Sequence, residues 1–197
     1  MADALLVIDV QNDFCSGGAL AVPDGDAVVE PCNALMSRFD HVVLTQDWHP
    51  VGHASFASTH DKPVFSMYPA HYGEQTLWPD HCIQGTAGAS FHPRLDTRRA
   101  RLVVRKGMNP RVDSYSAFFE NDRTTPTGLA SALRELGVDR VVCVGLATDF
   151  CVRFTALDAV RVGLQAAVVE AAVRGITAEG VGSAWRELAE AGVERIA

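Results

Sequence analysis

Apolar positions along this chain fall in short unbroken runs and seldom alternate with polar ones. Leu5-Leu6-Val7-Ile8, His41-Val42-Val43-Leu44 and Leu102-Val103-Val104 come first; Arg140-Val141-Val142-Cys143-Val144, Leu164 to Val169 and Val193 to Ile196 follow. Strands buried on both faces read this way, as in a parallel sheet. The intervening segments carry helical spacing. Val29, Ala34 and Leu35 recur within 26–38, and Leu129, Leu133 and Leu136 line one face of 128–136, with Gly137 placed to end that helix. Residues 151–162 and 178–191 predict two more helices, the second with Thr177 as its N-cap. Strands alternating with helices predict βαβ units: an α/β fold with a mostly parallel sheet.

One stretch breaks this rhythm. From about 47 to 98 the chain is dense in His, Pro, Gly and aromatic residues, without a periodic element. A loop region of that length inside a compact domain is usually functional. The expectation is one domain, 1–197, carrying one elaborate loop region.

Composition narrows the classes of partner. With 17 Lys+Arg against 24 Asp+Glu the net charge is −7, which gives no general attraction to nucleic acid or to anionic membrane surfaces. No apolar run approaches the roughly 20 residues of a membrane span, and the start Met1-Ala2-Asp3 lacks the basic opening of a signal peptide. Five cysteines, an odd number without a CxxC pair, point to free thiols in a reducing cytoplasm.

In an open parallel sheet ligands bind beyond the carboxyl ends of the strands. The first predicted strand leads to Asp9, the second to Asp47, the third to Lys106, and the fourth runs through Gly145 into Thr148-Asp149-Phe150-Cys151. An acid, a lysine and a thiol therefore reach one rim from separate strands. Cys151 stands near a helix start, where the dipole and free N–H groups favour thiolate and are expected to lower its pKa from about 8.5. The same N–H groups can hold an oxyanion. Cys143 reads as inert core, Cys32 lacks this setting, and Cys15 and Cys82 are placed near the site without being the nucleophile. Asp47 and His49, at i and i+2 on a strand end, point to one side, and the loop can return His81 to them. One carboxylate and two imidazoles suit Zn, Fe or Mn. His53 is a fourth candidate, directly or through water, while His41, His60, His71 and His92 read as polar surface.

These residues sit in a string of motifs: Asp9-Val10-Gln11-Asn12-Asp13-Phe14; Asp47-Trp48-His49-Pro50 with His53 and Ser55-Phe56; Trp78-Pro79-Asp80-His81-Cys82; Arg105-Lys106-Gly107; Asp113-Ser114-Tyr115-Ser116-Ala117-Phe118; and Gly145-Leu146-Ala147-Thr148-Asp149-Phe150-Cys151-Val152. The string resembles the nicotinamidase/pyrazinamidase family of isochorismatase-like hydrolases, in order and over nearly the whole chain. The resemblance implies a doubly wound six-stranded parallel sheet with helices on both faces. It implies a catalytic triad of Asp9, Lys106 and Cys151, metal ligands Asp47, His49 and His81, and His53 at a position that ligates in some members. It also implies oxyanion-hole amides at Ala147 and Cys151, a cis Leu146–Ala147 bond, and a ring pocket lined by Phe14, Trp78 and Tyr115. The activity implied is hydrolysis of nicotinamide, and by extension pyrazinamide, through a thioester on Cys151, with one divalent transition metal and no organic cofactor. The partner is then a small molecule; the chain's size is compatible with a homodimer. Relatives that cleave isochorismate lack the cysteine, and carbamoyl-amine hydrolases lack this metal set. A different small amide, or a non-catalytic metal-binding or thiol-sensing protein on the same scaffold, is the alternative.

Overall fold

The computed structural model describes residues 2–197. Eight strands and four α-helices follow in chain order: β1 Ala2–Ile8, α1 Val29–Met36, β2 His41–Asp47, β3 Met67–Ala70, β4 Gly73–Thr76, β5 Leu102–Lys106, α2 Leu129–Glu135, β6 Val138–Leu146, α3 Arg153–Arg161, β7 Gln165–Arg174, α4 Ala178–Glu190 and β8 Glu194–Ile196. Six strands form one sheet in the order β5-β2-β1-β6-β7-β8, with every pairing parallel. The expected doubly wound α/β architecture is present.

Because side chains alternate across a strand, β1 feeds two cores. Leu5 and Val7 join Val42, Leu44, Val142 and Val144 on one face, where α1 adds Cys32 and Met36. Ala4, Leu6 and Ile8 join Val43, Val141 and Cys143 on the other, under Leu129 and Leu133 of α2, Ala156 and Ala159 of α3 and Leu188 of α4. One helix faces three, and the imbalance is made up by the long loop region. Trp78, Cys82, Ala89 and Leu95 pack into the same core as α1. A segment without helical periodicity thus does a helix's work, burying one side chain at a time.

Local signals hold where a backbone requirement stands behind them. Gly137 has φ 69° past the end of α2, and the Thr177 hydroxyl accepts from the Gly180 N–H at 3.0 Å at the start of α4. Two boundaries differ. The 26–38 segment opens as a 3₁₀ turn, Gly25–Val28, before α1 begins. The 151–162 segment is entered through a π turn, Thr148–Val152, so α3 starts two residues late. The loop region also contains the antiparallel hairpin β3–β4. Its strands are only four residues long, too short for a period-2 pattern to show.

Candidate active site

The carboxyl ends of four adjacent strands, β5, β2, β1 and β6, bring the reactive side chains together. Asp47 and Lys106 are register partners across β2 and β5, so their side chains share a face. Asp9 follows β1 with φ 49°, a turn that its neighbour Thr45 holds: the Asp9 N–H donates to Thr45 Oγ1 at 3.1 Å, and the hydroxyl donates to Asp9 Oδ1 at 2.5 Å. On β6, Gly145 has φ 107°, and a Cβ there would lie 2.2 Å from the Ile8 carbonyl oxygen. Only glycine lets β1 and β6 close up at this point. The Leu146–Ala147 peptide that follows is cis, as the resemblance implies.

Lys106 is the hub. Its buried ammonium lies 2.9 Å from Asp9 Oδ2 and 3.5 Å from Cys151 Sγ, donates to the Ser114 carbonyl at 2.9 Å, and is hydrogen-bonded to Asp47 Oδ1. Burial opposes its charge, but Asp47, Asp9 and Cys151 outweigh that and raise its pKa well above the ordinary value. Burial also pushes Asp9 up, with Asp47 adding to the effect and Lys106 opposing it. Asp47 is held well below the carboxylate range: burial pushes it up, and Lys106, with the imidazoles of His49 and His81 facing it, more than offsets this.

The thiol corrects one expectation. Burial raises the Cys151 pKa well above 9.0; Lys106 lowers it, while Asp9 and Asp47 raise it further. Cys151 stands in the π turn and not in a helix's first turn, and desolvation outweighs the local amides. Burial thus favours the thiol over the thiolate, so attack calls for a neighbour that takes the proton.

Asp47 joins the two constellations that the sequence presented separately. While Oδ1 faces Lys106, Oδ2 lies 3.6 Å from His49 Nε2 and 3.8 Å from His81 Nε2. His49 Nδ1 donates to the Gly107 carbonyl at 3.0 Å and His81 Nδ1 to the Pro79 carbonyl at 2.8 Å. Both rings therefore turn a bare Nε2 toward Asp47. His49 Nε2 is buried and has no hydrogen-bond partner, and the ring fits only because residue 107 is glycine, where a Cβ would come within 2.4 Å of its Cε1. Two metal bonds of about 2.0–2.1 Å at a tetrahedral angle separate their donors by about 3.4 Å. The three donors fit a divalent transition-metal ion.

His53 stands behind this set. Its ring packs on His49 at 4.4 Å between centroids. Its Nδ1 accepts from the Ser55 N–H at 3.2 Å, and Nε2 donates to the Asn109 carbonyl at 2.8 Å. Both nitrogens are hydrogen-bonded, and the ring supports that of His49. Burial and the neighbouring His49 lower its pKa. Among the histidines expected on the surface, His71 is exposed. His92 is not: it is buried, with Nε2 3.2 Å from Asp26 Oδ1.

A narrow cavity of about 20 Å³, room for about one water molecule, opens onto all of this. Phe14, Trp78, Tyr115 and Phe150 form its aromatic wall; Asp47, His81, Ala147 and Cys151 also line it. Trp78 Nε1 donates to Tyr115 Oη at 3.2 Å, and Phe150 meets Trp78 edge-on at 4.8 Å. Phe150, Leu20, Ile176 and Asp113 are wall residues that sequence reasoning passed over.

Several polar residues of the motifs hold backbone. Gln11 clamps Asp47 by accepting from its N–H at 2.8 Å and donating to its carbonyl at 2.9 Å. Asp13 accepts from the Cys82 N–H at 2.7 Å, fixing the loop that carries His81. Asp149 takes the Ile176 and Thr177 N–H groups at 3.0 and 3.1 Å, tying the π turn to the start of α4.

Comparison with known proteins agrees with this geometry. The Isochorismatase domain family matches residues 3–197. The chain belongs to that family. Within it, the nicotinamidase of Acinetobacter baylyi is 50% identical over 98% of this chain and 91% of its own length. A solved structure described as an Acinetobacter baumanii nicotinamidase/pyrazinamidase superposes with a TM-score of 0.97 at 51% identity, over 98% of this chain and 95% of its own. An L. infantum relative solved in complex with nicotinate gives 0.88 at 40% identity, over 99% and 92% of the two chains. A Pyrococcus horikoshii pyrazinamidase in complex with zinc gives 0.83 at 36%, over 100% and 99%. Similarity to isochorismatase-family members therefore spans the rim, the loop region and the cavity together.

Proposed function

We propose that this chain hydrolyses nicotinamide to nicotinate and ammonia, and acts on pyrazinamide as well. The carrying observation is the contact of Cys151 Sγ with Lys106, 3.5 Å away, on the wall of an aromatic cavity that also meets the Asp47–His49–His81 set. The relatives named nicotinamidase and the nicotinate complex support this choice of substrate.

In this reading Asp9 is the base, its upward-shifted pKa making the carboxylate a better proton acceptor. The proton on Cys151 passes to Asp9 as Sγ attacks the carboxamide carbon. Amide N–H groups of Ala147 and Cys151 stabilise the oxyanion. Asp9 then returns the proton to the nitrogen, the C–N bond breaks, and ammonia leaves a thioester on Cys151. A water molecule gives a proton to Asp9 and adds to the thioester; collapse expels the sulfur, which recovers the proton from Asp9, and the acid product loses its remaining proton to solvent and departs as nicotinate. Lys106 stays charged throughout and keeps Asp9, Asp47 and Cys151 in register. Phe14, Trp78 and Tyr115 hold the flat ring at attack distance.

Asp47, His49 and His81 would hold one divalent ion, Zn, Fe or Mn. When bound, the ion supplies a Lewis-acidic anchor for a ring nitrogen. No organic cofactor is needed for this chemistry. The whole chain is read as one catalytic domain of a pyridine-nucleotide salvage enzyme. All five cysteines are free, which supports a reducing, cytoplasmic setting, and among the described residues no helix is long and apolar enough to cross a membrane. Ammonia release from nicotinamide tests the proposal: turnover is expected, and none with metal-loaded protein would refute it.

A further inference from the structure

Asp113 has no part in the chemistry above, yet it is a buried carboxylate lining the same cavity. Its Oδ1 lies 3.9 Å from His49 Nε2 and accepts from the Ser114 N–H at 2.8 Å. Its Oδ2 accepts from Gln75 Nε2 at 2.8 Å. Gln75 is itself buried on β4 of the loop hairpin; its amide also donates to Tyr115 Oη at 3.1 Å and accepts from Tyr72 Oη at 2.9 Å. Among the described residues, no lysine or arginine nitrogen lies within 4 Å of Asp113, and His49 is its one basic neighbour at that range.

Charge balance gives this arrangement a meaning. Asp47 offers one oxygen to the metal set, but its other oxygen is bonded to Lys106, which matches its charge. His49 and His81 bring none as ligands. A divalent ion there would gain little net negative charge from its three donors. Asp113 is a buried carboxylate whose hydrogen-bond donors, the Ser114 N–H and the Gln75 amide, are neutral, an expensive place for a negative charge unless a positive charge stands nearby. Asp113, His49 and His53 form a group of potential donors, whereas Asp47, His49 and His81 form another. Asp113 therefore stands beside the ion-facing Nε2 of His49, outside the Asp47–His49–His81 group.

We propose that Asp113, locked in place by Gln75, is the outer carboxylate that balances the charge of the divalent ion held by Asp47, His49 and His81. The β3–β4 hairpin then has a function: through Gln75 it sets the affinity for the ion. The inference rests on the metal reading above and deepens it.

The test uses Zn²⁺ alone, with the metal-stripped full chain titrated against a competing chelator and melted with and without Zn²⁺. Asp113→Asn keeps the shape and removes the charge. Its Zn²⁺ affinity is expected to fall at least about tenfold, and its Zn²⁺-induced rise in Tm should shrink accordingly. Metal-free D113N should melt close to the metal-free parent, since the side-chain shape is kept and one of the two accepted hydrogen bonds is retained. Gln75→Leu, which keeps the charge but frees the carboxylate, should lose affinity about threefold or more. Zn²⁺ affinity of D113N within twofold of the parent would overturn the proposal. So would metal-free D113N that fails to fold or melts well below the parent, because Asp113 would then be a structural group. A parent that binds no Zn²⁺ overturns the metal reading itself, and that result is read before any variant is made.

Discussion

Two clusters in this molecule pair a thiol with a carboxylate and a base. One is Cys151 with Asp9, Asp47 and Lys106; the other is Cys15 with Asp26 and His92. Their inventories are close, and both thiols are buried. Around Cys15 the polar atoms satisfy one another. Asp26 Oδ2 takes the Ser16 N–H at 2.8 Å and the Ser16 hydroxyl, Oδ1 takes His92 Nε2 at 3.2 Å, and His92 Nδ1 takes the Arg94 N–H at 3.2 Å. Burial, with Asp26 adding to it, pushes the Cys15 thiol up to about 11. Around Cys151, Asp9 Oδ2 is paired with Lys106 at 2.9 Å, but His49 Nε2 nearby is buried without a hydrogen bond; each of the two clusters borders a cavity. The two are distinguished here by the Lys106 ammonium that joins the carboxylates to the thiol and by the imidazole nitrogen left unsatisfied beside it. Residue type alone does not separate the two.

The largest expected effect breaks the comparison on the catalytic side. Cys151→Ala should cut ammonia release by at least about 10⁴-fold while fold and bound metal persist, because it removes the nucleophile itself. Substantial residual turnover would show that the reaction does not run through this sulfur. His49→Ala should take metal content from about one ion per chain to near zero by elemental analysis, and slow turnover about a hundredfold or more; unchanged metal would remove His49 from the ligand set. Lys106→Met strands two buried carboxylates on a chain where Lys106 is fully enclosed. Such a loss costs about 3–5 kcal/mol, or about 10 °C in Tm at this size, and a Tm unchanged by calorimetry would mean that the ion pairs carry no stability.

The smaller effects sharpen the other side. Cys15→Ala should leave turnover within about threefold and cost about 1–2 kcal/mol of stability; a loss like that of C151A would make the two thiols functionally equivalent. Asp26 is held down at about 2, chiefly by the Ser16 hydroxyl and then its N–H, with His92 facing it. A depressed carboxyl stabilises the fold above its unfolded value of about 3.9 and loses that contribution as pH falls toward 2. Asp26→Asn should flatten that part of the stability curve in acid titrations, and an unaltered curve would mean that Asp26 keeps its ordinary pKa.

Much of the site was legible because its residues sit at strand ends, and strand ends are visible in the hydrophobic pattern. Asp9, Asp47 and Lys106 follow apolar runs, and the parallel-sheet rule places them at one rim. Thr45 and Gln75 gave no such signal. Thr45 lies within a strand, where a hydroxyl reads as ordinary β-former, and only its distance to Asp9 shows its use. Gln75 lies in a four-residue strand and acquires a role only through contacts with Asp113 and Tyr115, 38 and 40 residues away. His92 was misjudged for the same reason: its partner Asp26 is 66 residues distant.

Periodicity, cap residues and the ordered motifs were enough for the parallel α/β plan, the family likeness and the candidate reactive groups, since these depend on local backbone preference and on which side chains avoid water. The protonation of Cys151, the sharing of Asp47 between Lys106 and two imidazoles, and the placing of His53 behind His49 came only with the folded chain. Desolvation and Coulomb energies depend on through-space distance and burial, and neither is written in the spacing of residues along the chain.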